Sequence, residues 1–224
     1  MRVEYVSFTD RMARIEYVAT RFRRFLAGKV LDVGCDRSNL KTLIPDIAYT
    51  GLDIAGDPDV KLNLETMDRL PFDDDSYECV VCTDVLEHLD NLHFVFGELV
   101  RVARNHLIVS LPNNWTNARL PIERGKGSFD KYGLPVEPPP DRHKWFFGLQ
   151  EAVEFLRGQE KKYPFSILEM RVTEKPRPVM VRALRRVRYP SRERYWNRYA
   201  HTVWAVMEKD RAKDPDREGR NPSG

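Results

Sequence analysis

The sequence predicts an α/β fold with a mostly parallel sheet and helices on both of its faces. Short apolar runs bounded by turn residues alternate with amphipathic stretches along the chain, the pattern of repeated strand–helix–strand units. One such run, Val30 to Val33, ends in Gly34, and the next, Ala48 to Leu52, closes on the acid Asp53. At 224 residues, with 42% hydrophobic and 32% charged side chains, the chain can build one well-cored domain.

Taken in order, residues 8–27 place Phe8, Met12, Ile15, Ala19, Phe22 and Leu26 at helical spacing. This predicts a helix packed beside the sheet, or a flap closing over a ligand. The run at 30–33 is broken only by Asp32 and reads as a buried strand leading into a tight turn at Gly34. Ser38 stands where it would N-cap a helix carrying Leu40, Leu43 and Ile44, which Pro45 ends. With the strand at 48–52 this makes a βαβ unit. In such units the ligand lies over the first turn, and the acid after the second strand takes a ribose hydroxyl pair.

A third strand is expected at 60–64, a fourth at 79–82, a helix at 92–103 and a fifth strand at 106–111. A helix at 149–157, a sixth strand at 165–172 and a last one at 201–208 complete seven strands. Residues 112–147 are rich in Pro and Gly and leave the carboxyl end of a strand, so they are expected to loop over the site. The organisation is thus an N-terminal helix or flap (1–28), a single domain (29–208) and a polar tail (209–224) expected to be disordered.

No run approaches the ~20 apolar residues of a membrane span. The charged N-terminus has no apolar core of a secretory signal. Three cysteines make no disulfide framework, and Cys79 and Cys82, three apart on a strand, point to opposite faces. They are expected in the core, and the chain in a reducing cytoplasm.

The turn Gly34-Cys35-Asp36-Arg37-Ser38 holds one glycine, and Asp36 would meet a pyrophosphate with like charge. S-adenosylmethionine has no phosphate and presents a cationic sulfonium and amino group, which suit Asp32 and Asp36. The phrases VLDVGC (30–35), TGLDI (50–54), LPFDDDSYECVVCTDVLEHL (70–89) and ELVRVARNHLIVSLPN (98–113) point the same way. Through them the chain resembles the class I S-adenosylmethionine-dependent methyltransferases, whose Rossmann-like seven-stranded sheet has its last strand antiparallel.

The resemblance implies that Asp32, Gly34, Cys35 and Asp36 surround the cofactor's methionine end and that Asp53 holds the ribose. Ile54 would lie against the adenine, Asn63 and Leu64 at its edge, and Cys82 and Thr83 beside the methionine moiety. The chain departs from the family's G-x-G-x-G loop at Asp36 and Ser38, and has Asn63 where an Asp is common. A positive φ at Asp36 would cost a non-glycine residue about 1 kcal/mol, less for Asp than for most.

Methyl transfer to a hydroxyl needs a group that removes or screens its proton. Asp84, Glu87 and His88 follow the fourth strand, and His143 lies in the long loop within DRHKWFF (141–147). Glu87, His88 and His143 are the catalytic candidates: His88 or His143 as a general base, or both histidines with Asp84 and Glu87 as ligands of a divalent metal, the alternative being a structural role. The set is similar to that of metal-assisted O-methyltransferases of quinone precursors and of small-RNA 2′-hydroxyls, which carry Glu at the position of Asp84. Asp141, Arg142, Trp145 and Phe146 are candidates for shaping the acceptor pocket. His93, His106 and His201 are read as structural.

Residues 175–199 hold nine Lys or Arg against one Glu, a local charge of +8 in a chain of +3. Together with Tyr189, Tyr195, Trp196 and Tyr199 they suit an anionic substrate. Alternatively, 179–188 forms an amphipathic helix on an anionic membrane surface, or the segment is a solvated face or a subunit contact. The expected function is O-methylation of an anionic small molecule or glycan precursor: a sugar phosphate, or a nucleotide- or lipid-linked sugar. The phrase KYGLPVEPPPDRHKWFF is similar to methyltransferases of surface-polysaccharide synthesis. The alternatives are a non-catalytic binding module with a decayed glycine loop, and an enzyme that methylates RNA.

Overall fold

The computed structural model describes residues 1–128, 131–139 and 141–210, and the expected disordered tail falls almost wholly outside them. Its strands are β1 (Arg2–Tyr5), β2 (Lys29–Val33), β3 (Ala48–Asp53), β4 (Val60–Lys61), β5 (Tyr77–Thr83), β6 (Ala103–Pro112), β7 (Phe165–Glu174) and β8 (Ala200–Lys209). They form one sheet in the order β1-β7-β8-β6-β5-β2-β3-β4. β8 runs antiparallel to both its neighbours, and every other pair is parallel.

The helices are α1 (Arg11–Arg21), α2 (Asn39–Leu43), α3 (Leu92–Val102), α4 (Asn114–Arg124), α5 (Leu149–Lys162), α6 (Val179–Arg188) and α7 (Arg192–Tyr199). The core lies on both faces of the sheet. Val80 and Cys82 of β5 join the side covered by α3 and α5, while Cys79 and Val81 join the side holding Val18 and Phe22. The strand alternation thus puts the two cysteines on opposite faces, as their spacing requires.

The sheet has eight strands rather than seven. β1 has two charged residues in four and no apolar run, so periodicity misses it. It forms because the edge of β7 offers unpaired backbone groups and because Glu4 meets Arg171, Tyr17 and Arg21 at 2.6–2.7 Å.

Other differences are local. Asp10 caps α1 by accepting from the Ala13 N–H at 2.9 Å, which leaves Phe8 outside the helix and Met12 exposed. Ser38 does not cap α2; its φ is +52° and its hydroxyl donates to the Asp57 carbonyl at 2.9 Å. The third strand stops at Lys61, because Asn63 turns the chain by accepting from the Glu65 N–H. The 112–147 connection is not structureless, since it begins with α4.

Candidate functional site

The carboxyl ends of β2, β3 and β5 meet at the turn after Val33. Gly34 has φ +83°, and a Cβ there would sit 2.2 Å from Val85 Cγ2, so only glycine fits. Asp36 and Ser38 also hold positive φ, +49° and +52°. Asp53 secures this backbone: one oxygen accepts from the Asp36 N–H at 2.8 Å, the other from the Ile54 and Ala55 N–H groups at 2.7 and 3.1 Å. A carboxylate offers about four lone-pair sites, so Asp53 keeps one acceptor position besides its work as a clamp. The sequence assigned it only the ligand role.

Asp32 is buried beneath the turn and accepts from the Tyr49 hydroxyl at 3.0 Å. Burial pushes its carboxyl up to about 7; Tyr49 offsets part of this, and the Asp53 charge adds to it. Cys35 is also buried, and its thiol is raised by burial to about 11, so it is an unreactive packing group. The first turn of α1 reaches this crevice. Arg11 pairs with Asp36 at 2.9 Å, and Arg14 pairs with Asp84 at the end of β5.

Of the remaining cofactor candidates, Ile54 is exposed and Thr83 half-buried. Leu64 turns its side chain into the core and its carbonyl accepts from the Asn91 amide at 2.9 Å, while the Asn63 side-chain oxygen accepts from the Glu65 N–H of its own turn. The Cys82 side chain is wholly buried in the main core, so at this strand end only its backbone is left for the methionine moiety.

Glu87, His88 and His143 do come together. A ligand atom of each lies within 4.8 Å of the others, and both histidine Nε2 atoms face Glu87 Oε1, at 3.9 and 4.0 Å. Glu87 is 1% exposed, and its Oε2 has no hydrogen-bond partner. Burial first, then the Asp84 charge, holds its carboxyl well above the ordinary range.

Outer groups aim both imidazoles. Asp141 Oδ1 lies 2.6 Å from His88 Nδ1. The Asn114 amide and the Tyr132 hydroxyl lie 2.9 and 3.0 Å from His143 Nδ1. Burial and the neighbouring His88 lower His143 to about 4, so it is neutral at physiological pH. The loop is latched over the cluster by the Lys144 N–H donating to the Glu87 carbonyl (2.8 Å) and Trp145 Nε1 donating to the Leu89 carbonyl (2.7 Å). Asp84 takes another path, since Ser110 donates to it at 2.6 Å and Arg14 pairs with it. Sequence reading missed Asn114 and Tyr132; the one signal was an Asn pair directly after an apolar strand.

The basic insertion is two helices, α6 and α7, at the same end of the sheet. Tyr195 and Trp196 belong to the core rather than to a substrate face, and the Tyr195 hydroxyl donates to Glu174 at 2.9 Å. Arg185 lies over Tyr199 at 4.2 Å, and Arg198 over Tyr189 at 4.9 Å. A cavity of about 630 Å³ opens at the far end of the strands around Lys29, Ala48 and Tyr77.

Strand order, the glycine turn and the acid after the next strand define a nucleoside-cofactor-binding α/β protein with an acidic crevice. Residues 31–109 match the Methyltransferase domain family, and that segment carries the S-adenosylmethionine-dependent methyltransferase domain. No curated protein matches the chain.

Among solved structures it is similar to the small RNA methyltransferase HEN1 (TM-score 0.58, 19% identity), covering 94% of this chain but only 27% of that one. It is also similar to the [4+2]-cyclase SpnF (0.55, 14%; 92% and 84%) and to a SAM-dependent methyltransferase from Archaeoglobus fulgidus (0.52, 16%; 89% and 94%). At these identities the structural likeness speaks for the fold alone, and one neighbour is named for a different reaction.

Proposed function

We propose that this chain transfers the methyl group of S-adenosylmethionine to a hydroxyl of an anionic small-molecule or glycan-precursor acceptor, held at Glu87, His88 and His143. The observation that carries this is the convergence of a buried, half-partnered carboxylate and two outward-braced imidazoles, one strand end away from the acidic cofactor crevice. In this reading Asp32 and Asp36 offset the cofactor's positive charge, and Asp53 keeps the loop in place and gives its spare acceptor position to the ribose.

The donor set fits a divalent cation: one carboxylate oxygen and two imidazole nitrogens, each imidazole oriented by an outer partner. A cation held there by Glu87, His88 and His143 would acidify the acceptor hydroxyl. Without one, neutral His143 accepts a proton at Nε2 in the tautomer whose Nδ1–H donates to the Tyr132 hydroxyl oxygen, with Asn114 turned to present its otherwise unpartnered Oδ1. Calorimetry with S-adenosylhomocysteine tests the cofactor, and methyl transfer to phosphorylated sugars with and without Mg²⁺ or Mn²⁺ tests the acceptor site. Absence of heat at saturating S-adenosylhomocysteine refutes the proposal. Asp36→Gly and Ser38→Gly separate an enzyme from a decayed binding module: an adapted loop gains no cofactor affinity, whereas a decayed one does. RNA remains the rival acceptor, and RNA binding that weakens steeply with salt would favour it.

A specific feature favours a membrane contact as well. Val179, Met180, Leu184 and Val187 of α6 are 70–84% exposed, and with Ala183 they fill an arc of about 140° at 100° per residue. Arg186 and Arg188 flank that arc. Arg182 and Arg185 point the other way, onto Tyr5 at 4.0 Å and Tyr199 at 4.2 Å. The helix thus turns its charged face to the protein and its apolar face to solvent, the reverse of an ordinary surface helix. A peripheral seat on an anionic bilayer suits that arrangement.

A further inference from the structure

Beside the acceptor cluster, α4 and the α6–α7 turn enclose a second cavity of about 380 Å³. Its wall includes Trp115, Arg119, Arg188, Arg194 and Arg198, with no acid among the lining residues. Glu123, just outside it, pairs with Arg119 at 3.0 Å and with Arg198 at 2.5 Å. Arg188 and Arg194 form no ion pair with any described residue. The Nε atoms of Arg119 and Arg198 are buried without an acceptor. Four guanidinium groups against one carboxylate leave an excess of about three charges around a space the size of a small ligand group.

The wall is braced before any ligand arrives. Asn113, fully buried, donates through Nδ2 to the carbonyls of Asn197 (2.8 Å) and Ala200 (2.7 Å), tying the start of α4 to the end of α7. The next residue, Asn114, is the group beside His143 Nδ1, and the one after it is Trp115, which is 47% exposed and offers a ring face. The cavity therefore begins one residue from the support of the acceptor histidine, at the same end of the sheet.

We infer that this arginine-lined cavity binds the phosphate or diphosphate group of the acceptor, with the attached ring against Trp115. Guanidinium forks match phosphate oxygens in pairs, and Arg188 and Arg194 line the cavity with no carboxylate of their own among the described residues. The inference rests on the transferase reading above and narrows its acceptor to a phosphate ester. It also gives the excess charge of the basic insertion a local use.

Titration of the full chain with inorganic pyrophosphate at low salt, followed by calorimetry, tests it. Arg188→Gln with Arg194→Gln removes the two unpaired guanidinium groups without breaking an ion pair, and should weaken pyrophosphate binding at least tenfold. Lys175→Gln with Arg177→Gln removes equal charge elsewhere in the insertion and should leave it within twofold. Equal loss in both double variants, or no pyrophosphate binding by the unmodified chain, overturns the inference. S-adenosylhomocysteine is titrated in parallel. Binding of that ligand without pyrophosphate sinks the cavity alone, and the reverse sinks the transferase reading alone.

Discussion

Asp32→Asn should stabilise the ligand-free protein increasingly as pH rises, and the size of the effect follows from burial. The Asp32 carboxyl is displaced from an ordinary 3.8 to about 7, chiefly by desolvation. Its folded value is raised, so between the two values the unfolded chain has lost a proton that the folded chain retains. Stability therefore falls as pH climbs through that window and levels off above pH 7. At about 1.4 kcal/mol per pH unit the burden is roughly 1.7 kcal/mol at pH 5 and about 4 kcal/mol at pH 8.

Asparagine carries no such burden, although its amide hydrogens bring a pH-independent cost of about 1–3 kcal/mol if they find no acceptor. The difference between the variant's effects at pH 8 and pH 5, about 2.5 kcal/mol in its favour, is free of that cost. Urea unfolding of both proteins at the two pH values measures it. Cofactor affinity should move the other way, since a cation in the crevice loses its buried counter-charge. A variant whose stability relative to the parent is the same at pH 5 and pH 8 would show that Asp32 is not the strained acid described here.

Three further outcomes are expected. Gly34→Ala combines a Cβ only 2.2 Å from Val85 Cγ2 with a left-handed backbone, and should cost about 2–4 kcal/mol in denaturant unfolding while abolishing S-adenosylhomocysteine binding. Glu87→Gln, replacing an acid whose carboxyl is raised first by burial and then by the Asp84 charge, should raise the melting temperature more at pH 8 than at pH 5, because a raised carboxyl loses stability as pH rises. The same variant should lower methyl transfer about 10²-fold or more. Met180→Asp with Leu184→Asp should cut sedimentation with phosphatidylserine-containing vesicles at least tenfold and leave the melting temperature within about 2 °C, as both side chains are exposed.

What the sequence made readable was local. Strand, glycine turn, helix and acid lie within 25 residues, so apolar runs and punctuation sufficed to place Asp32, Gly34 and Asp53 in one crevice. Burial patterning likewise separated Cys79 from Cys82. Contacts closed by tertiary folding were not readable. Tyr132 and Asn114 meet His143 only because the loop folds back, and no periodicity encodes that return. β1 is held by a part-buried ion pair to a strand some 170 residues away, and four mixed residues carry no strand signal. Ser38 looked like a cap because Ser before an apolar helix usually is one; here the close approach of Gly51 to Cys35 and Ser38 sets the loop instead.

The acids lining the crevice already have partners of their own: Arg11 on Asp36 and Arg14 on Asp84, both from one helical turn. A positively charged guest arriving there exchanges places with guanidinium groups rather than meeting bare carboxylates. Added salt weakens the old pairing along with the new one, so the two effects offset and tight association survives high ionic strength.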